Sequence, residues 1–214
     1  MGYSQAQKAE SKRRVLEVAS RQIRENGIEA LGVADCMRSA GLTHGAFYGH
    51  FASRDALILE ALEHALNQSE KRMASTVPDV QNEAQKEAQT PLASIAQVFL
   101  NERHAKNPGK GCALCALAGE ARHADADVRA LLERYVQQLA SRIAKATGKE
   151  SEDAGLGIVA TIVGAITLAR MVDHDDLAKS ILASSLALVM SQDNGAALTS
   201  DPAQTAGAQS RTAD

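Results

Sequence analysis

The stretch GLTHGAFYGHF, Gly41 to Phe51, decides the reading of this chain. It holds three of the six aromatic residues in 214 positions, together with two histidines and three glycines. Just before it, residues 33–40 have helical spacing and stop at Gly41, where a tight turn would strain a side chain. Thr43 stands at the cap of a second short helix that contains Ala46, Phe47 and His50. Two short helices joined by a glycine turn make a helix-turn-helix. Val33, Met37, Ala40, Leu42, Ala46 and Phe47 have the spacing to close a small core, and Phe51, four residues after Phe47, falls on the same side.

That packing leaves Thr43, His44, Gly45, Tyr48, Gly49 and His50 on the outward side of the second helix. Such a surface is polar and has little bulk, as a helix lying in a DNA major groove requires. Gly45 and Gly49 each cost a helix up to about 1 kcal/mol against alanine. The cost makes sense where the backbone must approach a partner closely. Tyr48 can hold its hydroxyl toward a phosphate. The scarce aromatics thus divide between anchoring a tiny core and touching DNA.

Outward from this stretch the pattern stays helical. A first helix is predicted over residues 7–25, with Val15, Leu16, Ala19 and Ile23 at helical spacing and Asn26-Gly27 as its stop. Gly32 is a weak cap for the helix at 33–40. Ser53 caps a long helix to about residue 74, with Leu57, Ile58, Ala61, Leu62, Ala65 and Leu66 on its apolar side. Residues 77–90, VPDVQNEAQKEAQT, read as a loop or a loosely packed helical extension. Pro91 opens a helix to residue 105, which KNPGKG breaks. Further helices are predicted over 113–123, 126–147, 151–172 and 175–191. The segment 193–214 is small, polar and aperiodic, and reads as a disordered tail. There is no strand pattern and no internal repeat. The fold class is therefore all-α, with about nine helices in a head over 1–54 and a larger helical domain over 55–192.

Composition narrows the function. With 45% hydrophobic and 23% charged residues and a net charge of −3, the chain is ordinary globular protein. No apolar leader opens it, and no uninterrupted apolar run reaches membrane-spanning length. Three cysteines do not make a secreted disulfide framework. A cytoplasmic protein with no membrane partner is expected. The net charge hides an asymmetry: residues 1–54 carry eight Lys and Arg against five Asp and Glu, so the head is +3 and the remainder −6. A basic head on an acidic body suits a local contact with a polyanion, although a solvated helix face has the same composition.

The stretch GLTHGAFYGHF followed by SRDAL resembles the signature of TetR/AcrR-family transcriptional regulators: Ser or Thr, one variable residue, Gly, two residues, Tyr, one residue, His-Phe, then Ser, a base and an acid. Thr43, Gly45, Tyr48, His50, Phe51, Ser53, Arg54 and Leu57 match it. The first helix, RVLEVASRQIRENGIEAL, is similar to that family's opening helix. The resemblance covers about the first quarter of the chain, and later helices match only in number and length. Gly32 stands where a capping Thr is usual, Cys36 where Ile is usual, and Gly49 where a larger, often basic residue is common. What the resemblance implies is an all-helical homodimer. Its three-helix head binds a palindromic double-stranded DNA operator, and its helical body, over 55–192, handles regulation and dimerisation by binding a small-molecule inducer of unknown identity and the partner subunit. DNA contacts would come from Thr43, His44, Gly45, Tyr48 and His50, with support from Arg54. The resemblance implies a repressor without enzymatic activity, cofactor or metal, released by a small molecule or by an electrophile or oxidant.

Two late helices bear on the dimer. GLGIVATIVGAITLARMV is apolar nearly all round, and Gly157, Ala160, Gly164 and Ala165 would let another helix come close. LAKSILASSLALVM is similar. Two such helices could form a four-helix interface with their symmetry mates, or serve as intrachain core.

A second constellation is GKGCALCALAGE. Cys112 and Cys115 lie at the start of a predicted helix, near Lys106 and Lys110. A helix N-terminus and nearby cations favour the thiolate, which would suit a sensor of oxidants or electrophiles. Cysteine is also a small apolar residue often buried beside Ala and Leu. The alternative function is a thiol-based redox or metal-binding protein centred on this pair, with only His104 and His123 as nearby imidazoles. No hydrolase, metalloprotease or phosphate-loop motif is present.

Overall fold

The computed structural model describes residues 4–76, 90–148 and 152–193. Of the expected loop at 77–90 and tail at 193–214, all but Thr90 and Asp193 lie outside these residues. Among the described residues the chain is all-α, with nine α-helices, three short 3-10 segments and no strand.

Helix α1, Gln5–Asn26, starts earlier than its apolar spacing suggests because Ser4 and Gln7 form a capping box. The Gln7 N–H donates to Ser4 Oγ at 3.2 Å and the Ser4 N–H to Gln7 Oε1 at 2.9 Å. Val15, Ala19 and Ile23 are fully buried, and Gly27, at φ 88°, ends the helix. Helix α2, Val33–Ser39, leads through Gly41 at φ 74° into a 3-10 segment, His44–Gly49. Helix α3, Arg54–Thr76, is capped by Ser53, whose Oγ accepts the Ala56 N–H at 3.0 Å. Its apolar side packs against α1.

Helix α4, Pro91–Phe99, stops well short of the expected residue 105. The chain restarts as α5, Glu102–Lys106. Asn101 causes the break. Its Oδ1 accepts the His104 N–H at 2.9 Å, and its Nδ2 donates to the Gln97 and Val98 carbonyls at 2.7 and 2.9 Å. A side chain that satisfies both helix ends competes with continuation of the helix. Helix α6 is also short, Ala113–Leu117, and a separate 3-10 turn follows at Ala121–His123, where one helix to 123 was expected. Gly119 lies in the turn between them, a residue that disfavours continuation.

Helices α7, Ala126–Ala146, α8, Glu152–Met171, and α9, Asp175–Met190, complete the body, with α8 packed between the other two. The stretch Asp153–Met171, with mean hydropathy 1.8, is long and apolar enough to cross a membrane by length and composition, although Asp153 and Arg170 bound its uninterrupted apolar run. Its Ile158, Val159, Ile162, Ala165 and Ile166 belong to the core. The tightest approach to α7 is at Gly155, where an added Cβ would collide with the Ala140 carbonyl. Gly157 and Gly164 have open space instead, and only Ala165 of the four small residues is buried within the chain.

Candidate nucleic-acid interface and cysteine cavity

The head is built on a small closed core. Phe47 and Phe51 are buried with their rings 5.7 Å apart, and Met37 and Cys36 are fully inaccessible. Burial pushes the Cys36 thiol up to about 11, as befits an inert packing residue. The Leu42 N–H donates to the Met37 carbonyl at 2.9 Å and fixes the turn.

The second helix of the motif is 3-10 rather than α, and Thr43 stands at its cap without a side-chain hydrogen bond. Two weak helix formers in six residues account for the tighter, shorter winding. Thr43, His44, Gly45 and Gly49 are exposed, and a Cβ at either glycine would meet nothing within 4 Å. The chain's own packing therefore does not demand these glycines. Tyr48 is 74% exposed and rests edge-on against Phe47, at 5.2 Å between centroids. That contact orients the phenol without covering it.

His50 and Arg54 are placed differently from their neighbours. His50 is half-buried beside Phe51, and its Nδ1 is buried without a hydrogen-bond partner among the described residues. Burial holds its pKa down, and Lys8 and Lys12 on α1 add to the effect. Arg54 turns inward. Its guanidinium donates to the carbonyls of Ile28, Glu29 and Leu31 at 2.9, 3.1 and 3.2 Å. It holds the loop after α1 in place.

Two hydrogen bonds tie the end of α1 and the loop after it to residues 109–120, and sequence reading finds neither. Arg24, 5% exposed, donates through Nε to the Gly109 carbonyl at 2.8 Å. The Ile28 N–H donates to Glu120 Oε2 at 3.0 Å. Their partners are 85 and 92 residues apart in the chain, and no local periodicity marks them.

Cys112 and Cys115 are brought together, both buried at 2% and 4% exposure. The hydrogen bond from the Cys115 thiol is the main cause that pulls Cys112 down, helped by the backbone N–H groups of Leu114 and Cys115. The same pairing, with burial, pushes Cys115 up. The Tyr135 hydroxyl lies 3.9 Å from Cys112 Sγ. The cations acting here are not those the sequence suggested. Lys106 pairs with Asp175 at 3.1 Å, whereas Arg24 and Arg170 are the bases whose charge couples to these thiols. Arg170 also donates to the Ala105, Cys115 and His104 carbonyls at 3.1, 3.1 and 3.2 Å. His104 Nε2 accepts the Cys112 N–H at 3.1 Å, which requires an uncharged ring. Burial and then Arg170 push its pKa down to about 4. His123 lies on an exposed turn. Among the described residues no group of three or more His, Cys, Asp or Glu could hold a metal ion.

A cavity of about 790 Å³ opens beside Cys112, between α1, α3, the end of α4, α5 and the loop that follows.

Residues 15–61 match the family model described as bacterial regulatory proteins, tetR family. Those residues, from α1 into α3, are similar to that family's N-terminal domain. An uncharacterized HTH-type transcriptional regulator of Bacillus subtilis, YerO, is 31% identical over 78 residues, 36% of this chain and 27% of that protein. The chain thus aligns with about a quarter of the length of this curated relative. Solved TetR-like structures share the fold across the body as well. E. coli NemR in its reduced form superposes with a TM-score of 0.70 at 17% identity, over 85% of this chain and 95% of that one. A TetR transcriptional regulator from Chloroflexus aurantiacus gives 0.71 at 20%, over 86% and 96%.

Proposed function

We propose that this chain is a TetR-type, sequence-specific DNA-binding transcriptional regulator. In this reading the head over 1–54 contacts the operator, and the body over 55–192 dimerises and receives the signal. The observation that carries it is the segment His44–Gly49: an outward polar surface, two glycines free of intrachain neighbours, and a phenol 74% exposed beside them. Thr43, His44, Gly45 and Tyr48 form the reading surface. His50 supports it from a half-buried position beside Phe51, and Arg54 acts by fixing the loop behind it. The chain would act as a repressor that a small molecule releases.

The test is a gel shift with DNA from upstream of the protein's own gene. Wild type should bind, and folded Tyr48→Ala protein should not. Unchanged affinity in that variant would sink the assignment.

A two-fold dimer supplies the second recognition segment. On α8 and α9 the outer side keeps Leu168, Met171, Leu177 and Leu188 exposed at 49% or more, interleaved with Gly157, Gly164 and Ser184. An apolar surface with small residues suits a four-helix interface.

Cys112 supports a second reading of the signal. It is the thiol favoured toward the anion and it borders the cavity. Its thiolate would add to the β-carbon of an activated alkene: the S–C bond forms as the C=C π bond breaks, and the neighbouring carbon takes a proton from water. DNA release by a thiol-alkylating agent in wild type, absent in Cys112→Ser, is the expected result. Release that persists in the mutant would leave the pair as packing residues. The non-regulatory reading, a thiol enzyme or metal protein, finds less support: the pair sits in an all-helical frame, and among the described residues no third His, Cys, Asp or Glu completes a metal-holding group.

A further inference from the structure

We propose that the cavity beside Cys112 binds a small organic anion, with a carboxylate held by Arg72, Arg103 and Lys110 and a hydrocarbon part against Val98 and Phe99. The proposal rests on the regulator reading only for its consequence, since binding itself requires no DNA.

Volume and charge both point to this ligand class. At about 790 Å³ the cavity lies in the range of small-molecule sites. Among the described residues its wall carries three bases, Arg72, Arg103 and Lys110, and one acid, Glu17. Glu17 is already engaged: it accepts from Gln68 Nε2 at 2.7 Å and lies 3.1 Å from His64 Nε2. Arg103 and Lys110 are exposed, and among the described residues neither has an acidic partner within ion-pair distance. Arg72 is anchored from behind, donating to the Gly111 carbonyl and to Ser69 Oγ, both at 3.2 Å. Its head is therefore positioned before any ligand arrives, which lowers the entropy lost on binding.

Further positive charge stands close by. Arg24 and Arg170 are bound to backbone carbonyls rather than to carboxylates. Burial lowers the basicity of both, and Arg72 lowers that of Arg24 further by repulsion. Cations gathered at a low-dielectric wall repel one another, and an anion among them relieves that repulsion. Phe99 and Val98 supply the apolar side, so a carboxylate with a carbon skeleton fits better than an inorganic oxyanion.

The experiment uses the full chain without DNA. Benzoate, phenylacetate and octanoate, each with its amide, are titrated by calorimetry and by thermal shift, with inorganic phosphate alongside. At least one carboxylate should bind and raise Tm, and its amide should be at least tenfold weaker. The double variant Arg103→Gln/Lys110→Gln, at two exposed positions, should keep its circular dichroism and unliganded Tm and lose at least tenfold in carboxylate affinity. Arg72→Gln should lose more. The assignment is overturned if none of the carboxylates binds, if amides bind equally, if phosphate matches the carboxylates, or if the double variant binds like wild type. Carboxylate binding by a protein that fails to shift operator DNA would leave the cavity standing and overturn the regulator reading instead.

Discussion

At the residue scale, Tyr48 and Arg54 show how two members of one motif do different work. Tyr48 is exposed and held only by Phe47, so its hydroxyl is available to a phosphate. Tyr48→Phe should weaken binding to all DNA sequences about equally, whereas His44→Ala should alter preference at one base by roughly 1–3 kcal/mol; a binding-site selection on both variants separates the two effects. Arg54 spends its donors on three carbonyls. Arg54→Met should destabilise the protein by about 2 kcal/mol in urea unfolding, because charged donors to backbone carbonyls are lost and the acceptors are left underused. The motif made both residues legible, but it could not tell an exposed side chain from a clamp. His104 gave no signal of its state. Its pKa is pushed down to about 4 by burial and Arg170. The unfolded chain thus takes up a proton that the folded chain refuses, and the stability present above about pH 6.5 is lost as pH falls toward the folded pKa. Between pH 7 and pH 5 the loss should be about 2 kcal/mol, reduced in proportion to solvent access, and His104→Gln should flatten that slope in urea unfolding.

At the element scale, caps were readable and interruptions were not. Ser53 and Pro91 mark the starts of α3 and α4 as their chemistry predicts. The break at Asn101 escapes notice because the apolar spacing on either side allows an unbroken helix. Only the side chain's own hydrogen bonds, to Gln97, Val98 and His104, stop it. Asn101→Ala should cost about 1 kcal/mol of stability through the lost cap. Glycines mislead in a related way. Gly157 and Gly164 look like the close-packing residues of α8, but inside the chain that role belongs to Gly155, which faces the Ala140 carbonyl across the α7–α8 contact. A methyl group there meets backbone, which cannot rotate away. Gly155→Ala should therefore lower Tm despite the better helix propensity of alanine, because forcing two helices apart costs typically 1–3 kcal/mol.

At the scale of the whole molecule, the sequence shows that α8 and α9 are apolar but not which sides are spoken for. Core and interface have the same composition, and only the folded chain separates Ala165, buried, from its neighbour Gly164, which has open space where a Cβ would stand. That open space makes a clean test of the proposed dimer. In Gly164→Arg the new Cβ meets nothing within 4 Å, and arginine replaces the weaker helix former, by roughly 1 kcal/mol. The monomer should fold as well as wild type or better. In a dimer the same side chain would place a desolvated charge opposite its symmetry copy, a contact that costs several kcal/mol. Two recognition segments on a palindrome must sit about one helical turn apart, ~34 Å, and a single head cannot hold both half-sites. Sedimentation should show wild type as a dimer at micromolar concentration and Gly164→Arg as a folded monomer. The variant should also lose operator binding in a gel shift although its head, joined to the body through Arg24–Gly109 and Ile28–Glu120, is unaltered. A wild type that sediments as a monomer, or a monomeric variant that still binds a full palindrome with wild-type affinity, would remove the dimer from the account of DNA binding.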